Sequence, residues 1–281
     1  MPIELHVKPH TRKRQVIRTI AITGATGYLG RALSTTFLSS GWRVIALSRR
    51  KPLIQEVEWY KWSLGDKLPD GALAGVQCVI HCAYDFNARS PQEARRVNVE
   101  GSRQLFEQLT PGTRLILISS IAAQPGTKQI YGRQKQEIEQ LALEHKGVAL
   151  RPGLIIGDPL GGILRRIASL PPSPILPLPA SGAIQYLTSI DVLCNNILTL
   201  ASASDWEPKI LTIVSEGPMP MNVLARRLRP STKIVLRVPW RPLWFALMAL
   251  ERMGMGLSLS ADSLYGLATT RYTESVSLQK E

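Results

Sequence analysis

Cysteine is scarce: the 281-residue chain holds three, Cys78, Cys82 and Cys194. Three thiols exclude a disulfide-dense secreted scaffold. Cys78 and Cys82 stand four apart with no second pair to complete a zinc site, so they read as small buried hydrophobes and no metal is expected. Acid is also short: 21 Asp and Glu stand against 34 Lys and Arg, a formal charge of +13. That excess suits phosphate groups, nucleic acid or an anionic membrane surface without choosing among them. Long apolar runs are missing. The stretch 242–250 is closed by Arg241 on one side and by Glu251 and Arg252 on the other, far short of the roughly 20 residues that cross a bilayer. The first fifteen residues contain no apolar h-region, so no signal peptide is expected. The expectation is a cytoplasmic protein, at most peripheral at the inner face of a membrane.

What is present is a globular composition, 44% hydrophobic and 20% charged, long enough to bury a core unaided. Residues 1–18 form a basic tail with Lys8, Arg12, Lys13, Arg14 and Arg18, read as a solvated extension or as a contact for an anionic surface. The chain then becomes regular. Short apolar runs at 19–23, 43–47, 57–62, 78–82, 115–118 and 148–151 alternate with helical stretches at 29–39, 91–109 and 130–145. Continuous apolar strands alternating with helices predict a parallel sheet covered on both faces. After Arg151 the rhythm breaks. Segment 171–179 holds five prolines in nine residues, which excludes regular helix or central strand. Residues 210–214 predict one more strand, returning to the main sheet.

The run TGATGYLG, with Gly24, Gly27 and Gly30, follows a strand and opens a helix. In that context glycine serves three ends: a tight turn, close backbone approach to a pyrophosphate, and close helix packing. The helix N-terminus offers free N–H groups and the positive end of its dipole to phosphate. Ala25, Thr26, Tyr28 and Leu29 complete the expected loop. The second strand ends LSRR, with Ser48, Arg49 and Arg50 where an acid would bind ribose hydroxyls. Guanidinium suits a 2′-phosphate, so NADP(H) is the expected cofactor, with NAD(H) as the alternative. Asp66, after the third strand, is a candidate for the adenine rim.

Together these residues resemble the extended short-chain dehydrogenase/reductases, the NAD(P)-dependent epimerase/dehydratase group. The resemblance runs from about Thr19 to Asp191 and continues more faintly. VIHCA, ending at Ala83, is similar to the family's strand against the cofactor. Asn98 in NVEG, the LISS strand end, and the Tyr131–Lys135 pair match further family positions, as do RPGLIIG (151–157) and YLTSIDV (186–192). The resemblance implies a Rossmann-type doubly wound parallel α/β sheet over 19–155 and a smaller α/β substrate region over 156–281. It implies cofactor contacts from Ala83, Asn98, Tyr131 and Lys135, with Lys135 on the nicotinamide ribose. It implies hydride transfer at a hydroxyl or keto carbon, with Ser120, Tyr131 and Lys135 as the catalytic set. Ser119 competes with Ser120; the family spacing favours Ser120.

Tyr131 and Lys135, four apart, share one helix face. A tyrosine pKa near 10 is too high for a base at neutral pH, and a nearby ammonium is expected to lower it. Two departures stand out. Only eleven residues separate Ser120 from Tyr131, so the intervening loop is short. Ile121 and Ala122 stand where the family's sugar-nucleotide dehydratases carry an acid pair, which argues against dehydration.

The expected substrate is a nucleotide-linked sugar, with Arg165, Arg166, Arg226, Arg227 and Arg229 as candidate diphosphate ligands. The alternatives are a hydrophobic ketone taken by an NADPH-dependent reductase, and a non-catalytic NADP-binding regulator or assembly subunit. No nucleic-acid partner is expected; a homodimer is an open alternative. The segment 239–253, with Trp240, Trp244 and Phe245, reads as a buried helix of the small domain, as a pocket wall for a lipid-like substrate, or as an amphipathic segment able, with the tail, to touch a membrane weakly.

Overall fold

The computed structural model describes residues 18–88, 90–180, 183–253 and 260–269. Most of the basic tail, residues 1–17, lies outside them. Strand β1 (Thr19–Thr23) is buried at all five positions and leads through the glycine run into helix α1 (Tyr28–Ser39). Then come β2 (Arg43–Ser48), β3 (Glu58–Lys61) and β4 (Cys78–His81). The expected single helix over 91–109 is divided into α2 (Pro91–Arg95), a π turn (Arg96–Glu100) and α3 (Gly101–Glu107). Asn98 and Val99 of the π turn and Gly101 and Ser102 after it all face inward. Strand β5 (Arg114–Ile118), α4 (Ile130–Glu144) and β6 (Val148–Pro152) follow.

The remainder contains β7 (Leu154–Ile156), α5 (Gly162–Ala168), β8 (Ile175–Pro179), β9 (Ile184–Ser189) and α6 (Ile190–Ser202). After these come β10 (Lys209–Ile213), β11 (Glu216–Pro220), α7 (Met221–Leu228), β12 (Ile234–Val238), α8 (Trp240–Arg252) and α9 (Ala261–Thr269).

Seven strands form one sheet in the order β10-β6-β5-β4-β1-β2-β3, every pair parallel. Strand order reverses between β1 and β4, which opens a crevice at the carboxyl ends of those strands. Alternation along each strand fills two cores. Ile20, Ile22, Val44, Ile80 and Ile116 face α1 and α6, where Leu33, Phe37, Leu193 and Ile197 cover them. Ala21, Ile45, Val79, Leu115 and Leu117 face α3 and α4, under Leu105, Phe106, Ile138 and Leu141. Full burial of a Phe37-sized side chain contributes roughly 1.5–3 kcal/mol. Cys78 and Cys194 lie buried in the first of these cores and Cys82 packs on it. Both α6 and β10 lie beyond residue 155 in sequence yet pack on the large sheet.

The smaller part holds a β11-β9-β7 sheet and a β12-β8 pair, around Leu164, Leu176, Leu178, Leu187 and Leu224. The proline-rich segment supplies β8, in a two-stranded sheet where each strand keeps a free edge. Helix α8 is half-covered. Leu247 is buried against Ala261 and Leu264 with Trp244 and Met248 beside it, while Leu243 and Phe245 are exposed. It is therefore not the fully buried helix that was one reading of 239–253. No helix among the described residues is long and apolar enough to cross a membrane.

Candidate active site

The glycine run turns sharply at Gly24, whose φ is +66°. Its N–H donates to the Leu47 carbonyl, and its carbonyl accepts from the Gly27 N–H. A Cβ on Gly30 would lie 2.3 Å from the Gly24 oxygen, and one on Gly24 would lie 3.0 Å from the Ala83 nitrogen. The first strand–helix turn is thus pressed against the end of β4, uniting Gly24, Gly30 and Ala83. Gly27 is the N-cap of α1 and has no side-chain cap, so the first N–H groups of the helix remain available to an anion. Ala25 and Leu29 are buried in the core; at these positions only backbone faces the loop's outer side. The Tyr28 ring lies on Gly161, where a Cβ would meet it at 2.2 Å. Tyr28 therefore turns toward the small domain. Thr26 is half-buried.

Arg49 and Arg50 follow β2 and are exposed. The Ser48 hydroxyl donates to the Arg50 carbonyl at 2.7 Å, which fixes the turn that carries them. Asp66 is exposed, and its carboxylate accepts the Ser63 N–H at 3.0 Å in a local turn.

At the end of β5 the two serines separate. The Ser119 hydroxyl donates to buried Glu139, whose carboxylate also takes Arg151 in a two-pronged pair at 2.8 and 2.7 Å. Ser120 instead hydrogen-bonds the Tyr131 phenol. Lys135 is buried and its ammonium donates to the Ile118 carbonyl at 2.8 Å. It sits 5.0 Å from the Tyr84 ring centre and 5.9 Å from that of Tyr131. Burial pushes its pKa down to about 8, with Cys82 and Glu139 opposing. The expected lowering of the Tyr131 pKa by Lys135 does not occur. Burial pushes that phenol up to about 12; the Ser120 hydrogen bond opposes this and the Glu139 charge adds to it. The lysine lies against the rings rather than at the phenol oxygen.

Asn98 is completely buried. Its side-chain oxygen accepts the Asp85 N–H at 2.7 Å and its amide nitrogen donates to the Asp85 carbonyl at 3.0 Å. It holds the 84–86 loop and spends its amide there. That loop carries an aromatic wall missed in the sequence. The Tyr84 ring meets Tyr131 edge-on at 5.0 Å, and Phe86, 71% exposed, stands 5.6 Å from Tyr131. The Tyr84 hydroxyl donates to Gln134 at 2.7 Å. Thr23 and His81 also escaped notice. Thr23 Oγ1 accepts the N–H groups of Cys82 and Ala83, so its proton goes to His81 Nδ1 at 2.8 Å. The remaining ring N–H faces Ser102 Oγ at 2.9 Å. The His in VIHCA was the available signal for this chain.

The candidate diphosphate arginines fare unevenly. Arg229 is buried and donates to the carbonyls of Ile167, Leu170 and Pro171, and Arg227 pairs with Glu216. Both are committed within the small domain. Arg165, Arg166 and Arg226 are exposed on α5 and α7.

A Rossmann-type sheet with a glycine loop at its switch point, and a serine, tyrosine and lysine gathered beside it, is the arrangement that the resemblance to the short-chain dehydrogenase/reductases implied. Residues 20–153 match the model of the NAD dependent epimerase/dehydratase family. Over 168 residues it is 34% identical to a ceramide reductase of Caulobacter vibrioides, covering 57% of this chain and 53% of that protein. It is 27% identical to methionine adenosyltransferase 2 subunit beta of Bos taurus over 50% of this chain and 48% of that one. The chain thus spans about half the length of these curated relatives. Among solved structures, MoeE5 with UDP-glucose and NAD superposes with a TM-score of 0.66 at 19% identity, over 89% of this chain and 97% of that one. Epimerase Mth375 of Methanothermobacter thermautotrophicus gives 0.68 at 17%, over 90% and 91%. These likenesses establish the fold.

Proposed function

We propose that the chain is an NADP(H)-dependent oxidoreductase that reduces a carbonyl flanked by apolar groups. The observation that carries the reading is the convergence of Ser120, Tyr131 and Lys135 beside an aromatic wall. The residues fit the dinucleotide: glycines stand where a Cβ would fill the turn, α1 starts uncapped, and two arginines follow β2. When bound, the nicotinamide supplies hydride. Tyr131, protonated at neutral pH because burial holds its pKa near 12, donates its proton to the substrate oxygen. Ser120 hydrogen-bonds the same oxygen, and Lys135 holds the cofactor ribose. Residues beyond 156 supply the rest of the substrate pocket.

Two observations favour an apolar substrate. Phe86 and Tyr84 present ring surface at Tyr131, and two of the five candidate phosphate-binding arginines are already committed. The relative named ceramide reductase is in keeping with this. A nucleotide-sugar epimerase is the second reading, supported by exposed Arg165 and Arg166 and by neighbours solved with UDP-sugars. A regulatory subunit is disfavoured by the presence of the complete catalytic set.

The test is NADPH oxidation against long-chain ketones and UDP-sugars, with Tyr131→Phe as control. Ketone-dependent oxidation that Tyr131→Phe abolishes is expected. Epimerisation of a UDP-sugar without net NADPH consumption would overturn the reading.

A further inference from the structure

Helix α4 begins without a cap of its own. Gln129 stands at the N-cap position and makes no side-chain cap hydrogen bond. The first N–H groups of a helix need acceptors, and here they come from α9. One carboxylate oxygen of Asp262 accepts the Ile130 N–H at 2.7 Å, and the other accepts the Tyr131 N–H at 3.1 Å, 131 residues away in sequence. The carboxylate also lies at the positive end of the α4 dipole.

Further contacts hold α9 in place. The Gln129 amide donates to the Asp262 carbonyl at 3.2 Å, and its side chain fills the space beside Gly266, where a Cβ would meet it at 2.4 Å. Gln185, buried in β9, donates to the Leu267 carbonyl at 3.3 Å. Glu251 of α8 accepts the Ala261 N–H at 2.8 Å. On the other side of the turn, a Cβ at Gly132 would meet the Ala122 carbonyl oxygen at 2.3 Å. The residue that carries the phenol is therefore gripped by its backbone between the short loop after β5 and a helix joined to the small domain.

We propose that Asp262 is a positioning residue for Tyr131: by holding the first turn of α4, it sets the phenol against Ser120 and links the small domain to the proton-donating group. Burial raises the Asp262 pKa, and the two backbone N–H groups oppose that rise; the carboxylate is kept in a costly place by what it holds. The proposal rests on the reductase reading only through the role of Tyr131.

The experiment compares Asp262→Ala, Asp262→Asn and Gly266→Ala by amide hydrogen exchange, NADPH affinity and turnover of a long-chain methyl ketone. Asp262→Ala is expected to speed exchange at Ile130 and Tyr131 but not at Leu141. Its kcat is expected to fall by about 10–100-fold, the scale of a small misplacement of a reacting group, with KM and NADPH affinity unchanged. Asp262→Asn keeps an acceptor oxygen and is expected to recover most of kcat. Full kcat in Asp262→Ala despite faster exchange overturns the proposal. Should that variant fail to fold, Gly266→Ala decides: its methyl displaces Gln129, and an unchanged kcat overturns the proposal too. An active Tyr131→Phe protein sinks the reductase reading itself, whereas an inert Tyr131→Phe beside a fully active Asp262→Ala sinks only the positioning role.

Discussion

The Lys135 ammonium donates to the carbonyl oxygen of Ile118 at 2.8 Å. That bond ties α4 to the last residue of β5, two residues before Ser120, and it sets Lys135 beside the rings of Tyr84 and Tyr131. The serine and the tyrosine are thereby held by one strand–helix joint, while the lysine charge is directed into the joint. On the proposed reading, a phenol left protonated beside a hydroxyl gives its proton to the carbonyl oxygen as that carbonyl is reduced.

Tyr131→Phe should bind NADPH as the parent does and lose at least about 100-fold in turnover, the lower end of what a general acid contributes. The ring remains for Tyr84 and Phe86 to pack on, so the wall keeps its shape. Fluorescence titration and NADPH oxidation measure the two halves of the expectation.

The adjacent serines should part company. Ser120→Ala removes the hydroxyl that reaches the phenol and should cut turnover with little change in stability. Ser119→Ala leaves buried Glu139 one hydrogen bond short, which costs about 1–3 kcal/mol, and should lower the urea midpoint more than it lowers kcat. Turnover more sensitive to Ser119 than to Ser120 would reverse their assignment.

Replacing Arg49 and Arg50 together by Ala should weaken NADPH by about one to two decades, because a hydrogen bond to a charged group is worth roughly 1.5–3 kcal/mol. NADH should be nearly unaffected, since it has no 2′-phosphate to lose. Equal losses for both cofactors would place the arginines elsewhere on the ligand.

His81 predicts an acid limb of stability. Burial, with Lys135 adding to it, pushes its pKa down to about 3 from an ordinary value of 6.5. Between those values the unfolded chain binds the extra proton, so stability falls as pH falls from about 6.5 toward 3, by up to about 1.4 kcal/mol per unit. Above 6.5 the group adds no slope. Urea titrations across that range should show a shallower slope for His81→Gln than for the parent, whatever the absolute midpoints.

Much of this was legible in the chain itself. Short apolar strands alternating with helices dictate a covered parallel sheet, and Gly24, Gly27 and Gly30 mark its phosphate turn, because periodicity and glycine's conformational range are local properties. The placement of Tyr131 and Lys135 on one face of α4 is local too. Which serine meets the phenol, and that Asn98 spends its amide on Asp85, depended on partners brought together by the fold. So did the packing of α6 on the large sheet, the aromatic wall from the 84–86 loop, and the capping of α4 by Asp262. Those relationships join residues on separate elements, so the periodicity of any one element does not reveal them. The protonation of Tyr131 was decided the same way: a nearby lysine suggested a lowered pKa, but burial depends on everything packed around the ring, and only the tertiary structure supplies that.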